Sequence, residues 1–302
     1  MNDSARPRLA ITVGDPRGIG PEIVGKALAD PRVRAAAEYI VVGPRGTRVA
    51  VQESVGEWRL DGGIVLAGEL AGAAIDRAAE LAMSGVVQGL VTAPIDKKAL
   101  LAGGYDYPGH TEMLAELTGA RTAMMLASPT LRVVLATTHI PLRLVPSMLT
   151  RGAILEVARL TRDALRNSYG IPEPRIALCA LNPHAGDGGR FGTEDDELLA
   201  PAARAAQLIG PLPADTVFVR AMKGAFDAVI APYHDVGMSA IKVASFGSAV
   251  NVTLGLPFPR TSPDHGTALD IAGQGIADPS SMIAAILECA RLAAIAAGAP
   301  RA

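Results

Sequence analysis

The chain has 302 residues, 49% hydrophobic and 19% charged, with a formal charge of −2. That length exceeds the ~100–200 residues usual for one domain and favours two α/β domains over a single very large one. No run of Lys or Arg is present, which argues against a nucleic-acid or anionic-membrane binder, and the two cysteines, Cys179 and Cys289, form no CxxC pair and suit a reducing cytosol.

The first apolar stretch, in MNDSARPRLAITV, is too short for a signal-peptide core, and LAITV (9–13) reads as a strand. The turn GDPRGIG follows, then a helix from Pro21. Gly14, Gly18 and Gly20 permit backbone conformations closed to other residues, Pro21 suits the first helical position, and Glu22 favours the positive helix start. Such a turn is either a plain tight turn or an anion-binding helix start; its spacing matches neither a Rossmann fingerprint nor a Walker A loop, and GQGIAD (273–278) misses the Rossmann spacing as well.

Further along, YIVVG and GIVLA read as strands, followed by a helix around 70–83, the strand VQGLVTAP and a helix around 95–101. TAMMLAS and LRVVLATTH come next, then a helix over 150–168, RIALCALNPH, a helix near 194–208, DAVIAPYHD and AVNVTLGLP. The alternation predicts parallel strands joined by crossover helices. SMIAAILECARLAAIAAGAP is interrupted by Glu288 and Arg291 and reads as a packed helix from about Ser280 rather than a membrane span, so the chain is expected in the cytoplasm.

Polar motifs follow directly after five of these strands, and ligands of open parallel sheets collect at carboxyl ends of strands. All five histidines fall in Gly, Pro, Thr or Asp-rich segments read as loops: PGHTE, TTHIP, NPHAGDGG, YHDVG and PDHGTALD. His139, His184 and His234 come immediately after strands, where neutral imidazoles can converge on a divalent cation or simply be hydrogen-bonded loop residues. Lys242, Asn251 and Arg260 suit phosphate or carboxylate recognition as a set, and surface decoration singly. Asp235, beside His234, suits a carboxylate that orients a ligating imidazole or a base, whereas Asp264 and Asp270 are equally turn and cap residues.

GDPRGIGPEI, YPGHTEMLAELTG, LRVVLATTHIPLRLVP, ALNPHAGDGGRFGTED, APYHDVG and VNVTLGLPFPRTSPDHGTALDIAG, in this order, resemble the 4-hydroxythreonine-4-phosphate dehydrogenase (PdxA) family of vitamin B6 biosynthesis over nearly the whole chain. The resemblance implies an α/β fold like that of isocitrate and isopropylmalate dehydrogenases, with two α/β/α domains and a central cleft. One domain would comprise 1–127 and 250–302, and the other, 128–249, would carry the metal ligands and dimer contacts. It implies a cytoplasmic homodimer with a shared active site, taking a small phosphorylated substrate and no nucleic acid or membrane. By the same resemblance His139, His184 and His234 match the metal ligands, for zinc, magnesium or cobalt. His110, Thr111, Lys242, Asn251 and Arg260 match substrate-binding positions, and His265 and Gly266 the NAD(P)-binding segment.

The implied reaction is NAD(P)-linked oxidation of 4-phosphohydroxy-L-threonine at C3, then decarboxylation to 3-amino-2-oxopropyl phosphate. Lys242 and Asp235 are both candidates for moving the proton. The chain departs from the usual family pattern at Arg17, Val236, Met238 and Ser239, which keeps a D-threonate or D-erythronate 4-phosphate open as substrate. A phosphate acyltransferase-like enzyme without metal or nicotinamide is the more distant alternative.

Overall fold

The computed structural model describes residues 6–245 and 248–298, and the chain divides into two compact units, Met1–Arg121 with Leu256–Ala302, and Thr122–Gly255.

The first unit contains β1 (Arg8–Thr12), α1 (Gly20–Ala29), α2 (Pro31–Ala36), β2 (Glu38–Arg45), β3 (Glu53–Glu57), α3 (Gly63–Met83), β4 (Gly89–Thr92), α4 (Lys97–Ala102) and α5 (His110–Thr118). It is completed by β11 (Arg260–Ser262) and α11 (Ser280–Gly298). Its strands run parallel in the order β3-β2-β1-β4-β11. Strand alternation assigns the two faces. Ala10, Val42 and Leu90 point to Ala74, Ile75 and Ala78 of α3. Leu9 and Gly89 point the other way, where a Cβ on Gly89 would lie 2.7 Å from Cys289 Sγ of α11. The result is an α/β/α sandwich.

GIVLA is not a strand. It opens α3, where it continues into an alanine-rich run, because a short apolar stretch carries no period that separates strand from buried helix. The outer strand is instead the polar, half-exposed ESVGE at the sheet edge. Although α11 is long and apolar enough to cross a membrane, Met282, Ile286, Cys289 and Leu292 are buried in this unit.

The second unit contains β5 (Ala123–Ala127), β6 (Arg132–Leu135), α6 (Val145–Met148), α7 (Arg151–Asn167), β7 (Ile176–Cys179), α8 (Ala200–Ala206), β8 (Ile209–Leu212), α9 (Ala214–Met222), β9 (Ala228–Ala231), α10 (His234–Ser245) and β10 (Val250–Leu254). Strand order is β10-β5-β6-β9-β7-β8, and the unit holds all of 128–249 with β5 and β10 added at its ends. Val133, Leu135, Ala177, Cys179, Val229 and Ala231 pack on Val217, Phe218 and Ala221 of α9 and Met238 and Ile241 of α10. The alternate residues Val134, Leu178 and Ile230 face the opposite side, where α7 crosses β6 and β9.

Parallel pairing fails at one strand: β5 runs antiparallel to both β6 and β10. The link from β5 to β6 is a tight turn in which the Ser128 amide donates to the Leu131 carbonyl at 2.9 Å, far too short for the crossover that parallel neighbours require.

Candidate active site

In the second unit β6, β9 and β7 are adjacent and parallel, so their carboxyl ends share one rim. His139 follows β6, His234 is the first residue of α10 just after β9, and His184 lies in the turn after β7. The Thr137 hydroxyl donates to the Pro232 carbonyl at 2.8 Å, tying the β6 and β9 ends together. His139 and His234 therefore meet, with ring centroids 5.5 Å apart and planes tilted by 45°. Asp235 Oδ1 lies 2.9 Å from His234 Nδ1, so that nitrogen carries the proton and Nε2 keeps its lone pair for a ligand. Two neighbouring imidazoles, one with its tautomer fixed by a carboxylate, fit a divalent cation.

Among the described residues no three His, Cys, Asp or Glu side chains gather for a metal, so His184 does not join this pair within one chain. Its ring lies instead 6.3 Å from Phe191. The loop reading of the histidines also needs correcting at two positions, since His110 and His234 each begin a helix. Asp235 and Lys242 are seven residues apart on α10, hence on one face and about 10 Å apart along the axis.

The turn that carries His184 is conformationally unusual. His184 (φ 54°), Ala185 (φ 55°) and Asp187 (φ 47°) are left-handed, as are Gly186, Gly188 and Gly189. Non-glycine residues persist there only when their surroundings hold them. The restraint is Asp195, fully buried, whose carboxylate accepts the amide N–H groups of Leu181 at 2.8 Å and Asn182 at 2.9 Å. Glu194 accepts from Asn182 Nδ2 at 2.8 Å. Neither acid was singled out by sequence reasoning; the acidic GTED directly after the glycine-rich turn was the available signal.

In the first unit His110 opens α5, with Thr111 next to it. Burial, followed by the Arg260 charge, pushes the His110 imidazole well below its ordinary 6.5, so it is neutral at pH 7. Its Nε2 is buried with no hydrogen-bond partner among the described residues. Arg260 is fully buried on β11 and its Nη2 donates to Thr92 Oγ1 at the end of β4. Burial lowers its pKa to about 10, which leaves it cationic at pH 7. A buried guanidinium beside a neutral imidazole suits a phosphate or carboxylate oxygen. Asn251, on β10 of the second unit, likewise has a buried Oδ1 without a partner among the described residues.

The polar groups of the N-terminal turn are taken up by the chain itself. Asp15 is fully buried and takes the Arg17 amide at 2.9 Å, while the Arg17 guanidinium bridges Asp15 (2.6 Å) and Asp96 (3.0 Å). The Ile19 amide donates to the Thr267 carbonyl at 2.9 Å. A Cβ on Gly18 would lie 2.8 Å from that same carbonyl oxygen, which explains the glycine. Arg17 is thus spent on two carboxylates. Val236 and Met238 join the core beneath α10, and Ser239 is exposed.

His265 and Gly266 are exposed on the loop after β11. The space beside the Gly266 Cα is open, and His265 Nδ1 lies 3.0 Å from the Gly266 carbonyl. An exposed imidazole with open backbone beside it leaves room for a planar ring.

A family model described as pyridoxal phosphate biosynthetic protein PdxA matches residues 49–289. A 4-hydroxythreonine-4-phosphate dehydrogenase from Geobacter metallireducens is 44% identical, covering 97% of each chain. The crystal structure of the enzyme of that name from Klebsiella pneumoniae aligns with a TM-score of 0.85 at 39% identity, over 95% of this chain and 99% of that one. A β-decarboxylating dehydrogenase from Thermococcus kodakarensis, 16% identical with a TM-score of 0.52 over 92% and 80% of the two chains, shares the fold alone.

Proposed function

The chain belongs to the PdxA family, and on that premise we propose that it oxidises 4-phosphohydroxy-L-threonine at C3 with NAD(P)+ and decarboxylates the product to 3-amino-2-oxopropyl phosphate, as a step of vitamin B6 biosynthesis in the cytoplasm. The observation that carries this reading is the pairing of His139 with His234 at the ends of adjacent parallel strands.

His139 and His234 would hold a divalent cation (zinc, magnesium or cobalt), with His184 supplied by the second protomer of a homodimer, since it does not join the pair in its own chain. Such an ion lowers the pKa of a bound hydroxyl and stabilises negative charge on its oxygen. Asp235 orients His234 through Nδ1. Arg260 anchors an anionic oxygen of the substrate, neutral His110 presents Nε2 to it as a hydrogen-bond partner without adding charge, and Thr111 offers a hydroxyl from the same helix start. The buried Asn251 Oδ1 accepts a hydrogen from a substrate N–H or O–H group.

A bound nicotinamide would supply the hydride acceptor for C3, and Lys242 or Asp235 would take the hydroxyl proton. Both sit on the outward face of α10. Loss of CO2 from the resulting 3-oxo acid leaves an enolate that takes up one proton. His265 and Gly266 would hold the adenosine half of the cofactor.

The test is absorbance of reduced nicotinamide with NAD+ or NADP+, Zn2+, Mg2+ or Co2+, and a panel of 4-phosphohydroxy-L-threonine, D-threonate 4-phosphate and D-erythronate 4-phosphate. Turnover is expected with the first substrate and to stop after chelation. Turnover that prefers a sugar acid, or that survives chelation, refutes the assignment.

A further inference from the structure

The loop 263–279, between β11 and α11, contains neither helix nor strand. Its position therefore depends on the polar contacts it makes; Arg48 donates to the Gly273 carbonyl at 3.1 Å and α11 ties its two ends, while five further hydrogen bonds go to α1 and the turn before it. At one end, the Ile19 amide donates to the Thr267 carbonyl. At the other, the Glu22 carboxylate accepts the amides of Ala277 at 2.9 Å and Gly275 at 3.3 Å. Lys26, one turn further along α1, donates to the carbonyls of Ala277 at 2.7 Å and Gly275 at 2.9 Å, and to Glu22 at 2.8 Å. One ion pair thus takes up both backbone polar groups of two alternate loop residues, as a neighbouring strand would.

An ordinary i,i+4 pair on a helix surface contributes little. This pair differs because each partner spends its remaining capacity on a backbone some 250 residues away in sequence. The Lys26 hydrogen bond, above all, holds the Glu22 carboxyl below its ordinary range. The stretch between the two anchors begins beside His265 and Gly266.

We propose that Glu22 and Lys26 are positioning residues for the nicotinamide dinucleotide: by clamping Gly275–Ala277 they hold the loop so that His265 and Gly266 stand open to the adenosine half. The inference rests on the assignment of those two residues to the cofactor. Without the clamp, the loop samples other conformations and apparent cofactor affinity falls by the fraction of time it is misplaced.

Glu22→Gln, Lys26→Met and the swapped double variant Glu22→Lys/Lys26→Glu, all in the full-length protein, test it. Amide hydrogen exchange over 264–278, measured without cofactor, is expected to be faster in all three. The KM for NAD(P)+ is expected to rise about tenfold or more while the KM for the phosphorylated substrate stays within about twofold, as a loss of preorganised loop demands. The swap keeps the ion pair but turns each charge against the wrong backbone group, so a pair that merely stabilises α1 would be restored by it. Restoration of either readout by the swap, or unchanged loop exchange in the single variants, overturns the clamp. Faster exchange with an unmoved cofactor KM also overturns the proposal, and places the failure in the His265 and Gly266 assignment. Thermal melting of each variant separates global unfolding from loop release, since exchange in β1 and β4 would rise only in the former.

Discussion

The imidazoles of His139 and His234 stand 5.5 Å apart although 95 residues separate them, because β6 and β9 are parallel neighbours and each delivers its histidine at the carboxyl end. Asp235 fixes the tautomer of one ring from 2.9 Å. The pair needs no help from the first unit.

Asp235→Ala removes the acceptor that holds Nδ1–H while leaving both imidazoles in place. Zinc affinity, measured by equilibrium dialysis against a chelator buffer, is expected to fall about 10–100-fold, the usual consequence of losing a carboxylate behind a ligating histidine. An unchanged affinity would remove Asp235 from the site.

Asp195→Ala leaves the half-buried Leu181 and Asn182 amides without their acceptor. A fully buried orphaned group costs about 1–3 kcal/mol, so for two half-buried amides urea unfolding is expected to show a loss of roughly 2–4 kcal/mol, toward the low end of twice that figure. Asp195→Asn, keeping one acceptor oxygen, falls between. Because the same bonds restrain the left-handed turn, faster exchange across 184–189 should accompany the loss; wild-type protection there would show that the turn holds itself.

The order of elements and the placement of motifs after strands were legible because polar loops followed short β-branched runs such as LRVVL and IALC. What escaped was set by tertiary contact. The edge strand ESVGE carries no alternation, and the apolar GIVLA opens a helix because of the residues after it. The antiparallel β5 follows from the brevity of one turn. In sequence GDPRGIG is open to a tight turn or an anion site; in the structure Asp15, paired with Arg17, supplies the turn's own anion. Glu22 reaches a partner 255 residues away, a link no local window contains.

Arg260→Lys keeps the charge but loses the planar fork that reaches Thr92. The KM for phosphorylated substrate is expected to rise about 10–100-fold with zinc affinity unaltered, in line with the strength of charge-assisted bidentate bonds. Equal loss of zinc binding would mean that the variant had disrupted the fold rather than a substrate contact.

The His110 imidazole is held well below its ordinary 6.5 by burial and by Arg260. As pH falls below about 6.5 the unfolded chain takes up a proton that the folded chain refuses, so stability contributed above that pH is lost, at up to about 1.4 kcal/mol per pH unit. Urea unfolding of wild type and His110→Asn between pH 7.5 and 5 should diverge in this direction, the wild type losing more. Parallel curves would mean that the imidazole titrates normally.

Subunit exchange addresses the third imidazole. If His184 completes the partner's His139 and His234 pair, His139→Ala and His184→Ala homodimers are each inactive, but in a heterodimer both lesions fall in one site and the other site is intact. Random reassortment makes half the dimers mixed, each with one working site, so an equimolar mixture denatured and refolded together should recover about a quarter of wild-type activity. Separately refolded controls should recover none. If the three histidines instead served one chain, every site in every mixture would carry a lesion, and the mixture would stay as inactive as its components.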